Sequence, residues 1–281
     1  MSFSLYLYLR FRFAEFQTGF QTFKCQQESL ETVSSLTYDE SKHDGRIFVM
    51  AGSDKKIVST RWWWVRHAPV RNDGGNIYGQ TDLACDTSDT EVFDAVAKIL
   101  PRDAVWVSSN LMRTHQTAEA IWAAGFPKPA GMPWEAAFAE QNLGQWQGMN
   151  RAAFIASRPP GSSWFADINV PAPGGESFMD LYNRTRDAVD RLTIAHAGRD
   201  VIAVGHGGTI KAAIGLALGG LVEKGLSFDI DNCSVTRLDH FAGEGNGTWR
   251  LLMVNQQPWI ADARHAAMHQ PAGPEVKSKL A

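Results

Sequence analysis

The sequence predicts an α/β protein, a three-layer αβα sandwich with helices on both faces of a mainly parallel central sheet. Three observations predict it. Short apolar runs recur as RWWWV from Arg61, AVWVSS from Ala104 and VIAVG from Val201. Segments with helical spacing lie between them. Polar residues able to do chemistry follow each run directly, and open α/β sheets bind ligands outside the carboxyl ends of their strands.

RWWWV is aromatic and β-branched, which suits a strand, and AVWVSS reads as a second. Thr114, Ala118, Ile121 and Trp122 then fall at helical spacing, with Gly125 placed to end that helix. After PAPGGE, Ser177 and Asp180 form the start of a capping box. Phe178, Leu181, Tyr182, Thr185, Val189 and Leu192 mark one face of the long helix that follows. VIAVG is a buried strand, and TIKAAIGLALGG a helix that stops at Gly219 and Gly220. SVTRLDHF and TWRLLMVN alternate as late strands, and no internal repeat is present. The run SRPPGSSWFADINVPAPGG, residues 157–175, is a long Pro-, Gly- and Ser-rich loop of the kind that often forms a lid.

This pattern occupies residues 60–260. Residues 1–59 lack a clear period after the first dozen positions and read as an extension expected to be poorly ordered. Met50 precedes the first strand closely, so residues 1–49 are either an over-long start or a regulatory or docking arm. The tail, 261–281, is rich in Ala, Pro and Lys and is expected to fray.

The net charge of -3 gives no reason to expect nucleic-acid binding, so attraction for an anion must come from a local basic cluster. The three cysteines, Cys25, Cys85 and Cys233, are few and odd in number. They argue for a reducing compartment, and a cytoplasmic location is expected. No CxxC or Cys/His cluster suggests a metal, and no cofactor is expected. No stretch reaches the roughly 18 apolar residues of a membrane helix. The opening MSFSLYLYLRFRFAEF has the charge order of a signal peptide reversed. Oligomeric state is not readable.

Three segments carry the chemistry. VRHAPV places Arg66 and His67 just past the first strand. SSNLMRTHQTA places Arg113 at a helix start, where free N–H groups favour an anion. VGHGGT sets His206 at a strand-to-helix turn, with Gly207 and Gly208 letting backbone approach a ligand. Each has a bland reading: a surface basic pair, a solvated arginine, a structural histidine. Two histidines and two arginines at three strand ends are hard to explain as coincidence.

These segments resemble the histidine phosphatase, or phosphoglycerate mutase-like, superfamily. VRHAPV resembles its Arg-His-Gly signature and SSNLMRTHQTA its second arginine motif. EQNLGQWQG resembles its acidic segment, PGGES its pre-helix motif and VGHGGTIK its second histidine motif. The similarity runs in order from about Arg61 to Asn255. Three positions depart from the pattern: Ala68 for Gly, Gln147 for Glu and Lys211 for a frequent Arg.

The resemblance implies that His67 takes the phosphoryl group as a covalent phosphohistidine. Its other ring nitrogen should then hold a proton against a backbone carbonyl. Arg66, Arg113 and, if protonated, His206 would stabilise charge on the phosphoryl oxygens. Glu140 would protonate the leaving alkoxide and then deprotonate water. In IYGQTD, Gln80 and Thr81 would line the phosphate pocket, and Asn76, Tyr78 and Gly207 would touch substrate. IYGQTD could equally be only a turn. His115, Trp146, Trp164 and Phe165 either form the rim or fill the core.

The implied activity is hydrolysis of a small phosphate ester, without metal. The pattern is nearest the α-ribazole phosphatase branch. A phosphoglycerate mutase shares the apparatus, but the insert after the acidic segment is short and holds only Arg151 and Arg158 before PGGES, which favours a hydrolase. A non-catalytic module docking phosphorylated partners would need a lost His or acid, and both are present.

Overall fold

The first strand, β1 (Ser59–Arg66), lies in the middle of a five-stranded sheet ordered β2-β3-β1-β4-β5. Its alternation explains the three consecutive tryptophans, because successive side chains of a strand point to opposite faces. Trp63 and Val65 enter one core, Trp62 and Trp64 the other. Trp62 and Trp64 stack with centroids 5.4 Å apart and planes at 14°. The indole N–H of Trp62 donates to Thr193 Oγ1 at 2.9 Å, and that of Trp63 to Asp200 Oδ1 at 2.9 Å.

The structure is a computed structural model. It describes residues 58–158, 167–243 and 247–260, all within the unit Ile57–Ala281. Residues 1–57, the tail 261–281, and Trp164 and Phe165 with the middle of the 157–175 loop lie outside the described residues.

β1 pairs in parallel with β3 (Asp200–Gly205), from Arg61↔Asp200 to Arg66↔Gly205. β3 in turn pairs in parallel with β2 (Val105–Ser108). β4 (Val235–Phe241) and β5 (Thr248–Gln256) add antiparallel pairings on the other side. The expected parallel sheet therefore describes its centre, where helical crossovers separate the strands. The short link between β4 and β5 permits only a hairpin.

Helices α1 (Thr90–Ile99) and α2 (Met112–Ala123) cover the face of Trp63 and Val65. A short helix, α3 (Arg151–Ala156), follows the acidic segment, with Asn150 Oδ1 capping Ala153 N at 3.0 Å. α4 (Phe178–Ala195) and α5 (Gly207–Ala217) cover the other face, and the four-residue α6 (Val222–Gly225) follows. The capping box of α4 forms as its sequence indicates: Asp180 N donates to Ser177 Oγ at 3.1 Å, and Ser177 N to Asp180 Oδ2 at 2.9 Å. α5 ends at Ala217, just before Gly219 and Gly220 turn with positive φ. α1, α3 and α6 were not anticipated from the sequence, although Phe93, Val96, Ala97 and Leu100 carry helical spacing and are buried. Among the described residues no helix is long and apolar enough to cross a membrane.

Candidate active site

β1, β2 and β3 end side by side, and each hands the chain to a functional side chain. His67 follows β1. Its N–H donates to Gly205 O at 3.0 Å, and its carbonyl accepts from Asn232 Nδ2 at 2.7 Å. The ring is buried, with Nδ1 2.7 Å from Ala68 O. A carbonyl only accepts, so Nδ1 carries the proton and Nε2 presents its lone pair. Burial, then the neighbouring Arg113 and Arg66, hold the imidazole pKa well below its usual range. Ala68 fits where the pattern has Gly: it is fully buried without positive φ, and its N–H donates to Thr117 Oγ1 at 2.8 Å.

Arg113 is buried rather than solvated at the helix start. Its Nη1 donates to Thr81 O at 2.9 Å, its Nη2 to Gly79 O at 2.8 Å, and its Nε to His206 Nδ1 at 3.2 Å. A guanidinium has five N–H donors, so one remains on each terminal nitrogen. One expectation is corrected here. The N-terminus of α2 does not offer Met112 N–H to an outside anion, because Asp82 Oδ1 accepts from it at 2.7 Å. The protonation of His206, left open by the sequence, follows from its partners: the ring is neutral, with Nδ1 accepting from Arg113 and Nε2 2.7 Å from Ser109 Oγ. Burial and the adjacent Arg113 push its pKa well below the usual range. The two histidine rings lie 5.2 Å apart.

Arg66 and Glu140 meet at the start of α5. Arg66 Nη1 donates to Ile230 O at 2.5 Å, and its Nε is buried without a hydrogen-bond partner. Glu140 Oε1 accepts from Gln141 N at 2.9 Å and from Gly208 N at 3.2 Å. Of the two glycines, Gly208 is required by these approaches. A Cβ at 208 would lie 2.3 Å from Glu140 Oε1. A Cβ at 207 would sit 3.6 Å from Arg66 Nε and 4.0 Å from Glu140 Oε2, in ordinary contact with both arginine and acid.

IYGQTD forms the opposite wall through its backbone, whose Gly79 and Thr81 carbonyls receive Arg113. Gln80 Nε2 donates to Glu140 O at 2.8 Å, so this side chain positions the acid segment. Gln147, where a second acid was considered, accepts from Gln80 N at 2.8 Å. The Thr81 residue is exposed. Tyr78 lies 6.5 Å from the His67 ring and 5.2 Å from the Arg113 guanidinium carbon. Asn76 gives its carbonyl to Arg151 Nη2 at 2.7 Å. His115 Nε2 is 2.9 Å from Ser109 O, with its ring edge-on to the exposed Trp134. Trp146 packs on Phe154 in a small cluster with Ile77 and Leu143.

Several residues were missed from the sequence. Ser109 and Asp82 are above. Arg184, on α4, binds both oxygens of Glu176 at 2.6 and 3.0 Å. It also donates to the carbonyls of Ala137, Ala139 and Glu140 at 2.6, 2.9 and 3.0 Å, so it ties down the acid segment. Glu176 stood inside the PGGES motif, the signal that could have found this anchor. Asn232 and Ile230 belong to a loop with no motif. Among the described residues, no group of three His, Cys, Asp or Glu side chains could hold a metal ion.

A family model described as the histidine phosphatase superfamily (branch 1) matches residues 62–257. The chain belongs to this superfamily. A glucosyl-3-phosphoglycerate phosphatase of Mycolicibacterium vanbaalenii is 31% identical over 196 residues, covering 66% of this chain and 80% of that protein. A metal-independent phosphoserine phosphatase of Arabidopsis thaliana is 32% identical over 158 residues, 53% of this chain and 64% of that protein. A solved mycobacterial glucosyl-3-phosphoglycerate phosphatase superposes with a TM-score of 0.61 at 28% identity, over 70% of this chain and 99% of that one. The chain spans only 33% of the length of longer Mycobacterium tuberculosis relatives, to which it is 34% identical over 125 residues. Three of the five motifs, those holding Arg66 and His67, Ser109 to Arg113, and His206, follow β1, β2 and β3 at one end of the sheet.

Proposed function

We propose that this protein is a phosphomonoesterase that hydrolyses a small phosphate ester through phosphohistidine on His67. The observation that carries the reading is the bare Nε2 of His67, fixed by the Nδ1–H bond to Ala68 O at 2.7 Å, beside Arg66 and Arg113. Nε2 attacks phosphorus and the P–O ester bond breaks. Glu140 delivers a proton to the departing oxygen, so that it leaves as an alcohol. Water then attacks phosphorus and returns its proton to Glu140, the N–P bond breaks, and inorganic phosphate leaves with His67 regenerated. Arg66 and the two remaining N–H groups of Arg113 stabilise charge on the equatorial oxygens.

The phosphatase names of relatives at about this length support hydrolysis over transfer. The substrates in those names, glucosyl-3-phosphoglycerate and phosphoserine, join α-ribazole 5′-phosphate as the esters to compare. The test is rapid-quench labelling with a radiolabelled phosphate ester. Wild type should give acid-labile, base-stable label and release phosphate, and His67→Ala should do neither. Turnover by His67→Ala within about tenfold of wild type, a loss of only about 1.4 kcal/mol, would sink the assignment.

A further inference from the structure

Lys211 departs from the family pattern, and nothing above gives it a role. It stands four residues after Gly207 on α5, so both share one helix face. Helical side chains lean toward the N-terminus and cover the turn before their own Cα. Lys211 therefore lies on the helix face that begins at Gly207, where Arg66 and Glu140 approach the backbone. The stretch 226–230 holds both cations: Lys211 Nζ reaches Leu226 O at a long 3.5 Å, and Arg66 Nη1 reaches Ile230 O at 2.5 Å. An ammonium has three donors, and that distance is the limit of a hydrogen bond, so Lys211 keeps donors for a ligand. Partial burial lowers its pKa, opposed by the nearby carboxylates of Asp229 and Glu140. A half-buried cation with little hydrogen bonding of its own, one helical turn from the transfer site, suits an anionic group carried by the substrate.

We infer that Lys211 is a specificity-determining residue that binds a carboxylate on the leaving group, so that the preferred substrates are phosphate esters of hydroxy acids. The inference rests on the phosphatase reading. Arg66 and Arg113 serve the phosphoryl group and Glu140 serves the bridging oxygen, which leaves Lys211, within electrostatic reach of Glu140, for the rest of the substrate.

The test compares kcat/KM for matched esters with and without the carboxylate: phosphoserine against phosphoethanolamine, and 3-phosphoglycerate against glycerol 3-phosphate. Wild type should prefer the carboxylate member of each pair by about tenfold or more, the worth of one hydrogen bond to a charged group. Lys211→Met should bring that ratio close to one, chiefly through KM, and Lys211→Arg should restore it. A merely structural role would lower both members together and leave the ratio unchanged, which overturns the inference. So does a wild-type enzyme that hydrolyses both members equally well. A wild-type enzyme that hydrolyses no ester and takes no label on His67 overturns the phosphatase reading itself, and this inference with it.

Discussion

The Nε of Arg113 lies 3.2 Å from Nδ1 of His206. An arginine N–H can only donate, so Nδ1 holds a lone pair and the proton of the neutral ring sits on Nε2, facing Ser109 Oγ at 2.7 Å. Ser109 Oγ also accepts from Leu111 N at 3.2 Å. One hydroxyl thus orients the histidine and the entry to α2.

Ser109→Ala should therefore destabilise the protein. It leaves two buried donors without their acceptor, at a cost of about 1–3 kcal/mol each before relaxation. Urea unfolding checks this. A loss under about 0.5 kcal/mol, the level of an ordinary surface change, would contradict the deduced direction of the chain.

Stability should fall as pH drops below about 6.5, the unperturbed histidine value. His67 and His206 have folded-state pKa values held well below that range, so the unfolded chain binds protons that the native state refuses. More protons on the unfolded state means stability that is present above the unfolded pKa and lost below it, down to the folded pKa. Each histidine contributes a slope of up to about 1.4 kcal/mol per pH unit there. Urea unfolding of wild type and of a His67→Gln/His206→Gln double variant, at several values between pH 5 and 8, measures it. Parallel curves for the two proteins would remove these histidines as the cause.

Glu140→Gln should discriminate between leaving groups. Alkyl phosphates need a proton at the departing oxygen, and their phosphorylation of His67 should slow by about 10²–10⁴-fold. Nitrophenolate departs unaided, so that step should lose far less. Water attack still lacks its base, and labelled enzyme should accumulate as a burst followed by slow turnover. Arg113→Ala should slow both ester types alike. Single-turnover kinetics read all of this; equal losses across leaving groups for Glu140→Gln, with no burst, would assign the acid–base work to another group.

Gly208→Ala should keep the fold and lose rate. Alanine favours a helix over glycine, but its Cβ would lie 2.3 Å from Glu140 Oε1, so the carboxylate must move. A displacement near 1 Å can cost about 10²-fold in rate. The expected result is an intact thermal transition with kcat on an alkyl phosphate lowered to about that extent. Wild-type kcat in a folded variant would show that the position of the acid is not critical.

The sheet centre was legible because Trp62 to Val65, Trp106 and Val201 to Val204 are apolar runs buried on both faces. Their ends located Arg66, His67, Arg113 and His206 through order alone. The protonation of His206 was not legible, because it depends on Arg113, 93 residues away in sequence. The occupied helix start is similar: Asp82 and Met112 are 30 residues apart. The segment around Ala136–Phe138 and Gly144–Trp146 is built from short 3-10 turns, too brief to show a period. Its position comes from Arg184, whose role is geometric and leaves no local pattern. α1 is different, since Phe93, Val96, Ala97 and Leu100 carry its helical spacing in the sequence itself.

The stacked indoles of Trp62 and Trp64 have an optical consequence. Both are fully buried, 5.4 Å apart, and the edge of Phe138 meets Trp64 at 4.9 Å. Two chromophores held so close and nearly parallel couple their excited states, which yields a chiral near-ultraviolet signal that vanishes when fixed packing is lost. The carbonyl of Phe138 accepts from Thr209 Oγ1 at 3.1 Å, linking this pair to the helix that carries Gly207 and Gly208. The protein thus contains its own spectroscopic reporter, which needs no added label, for the packing behind the candidate site.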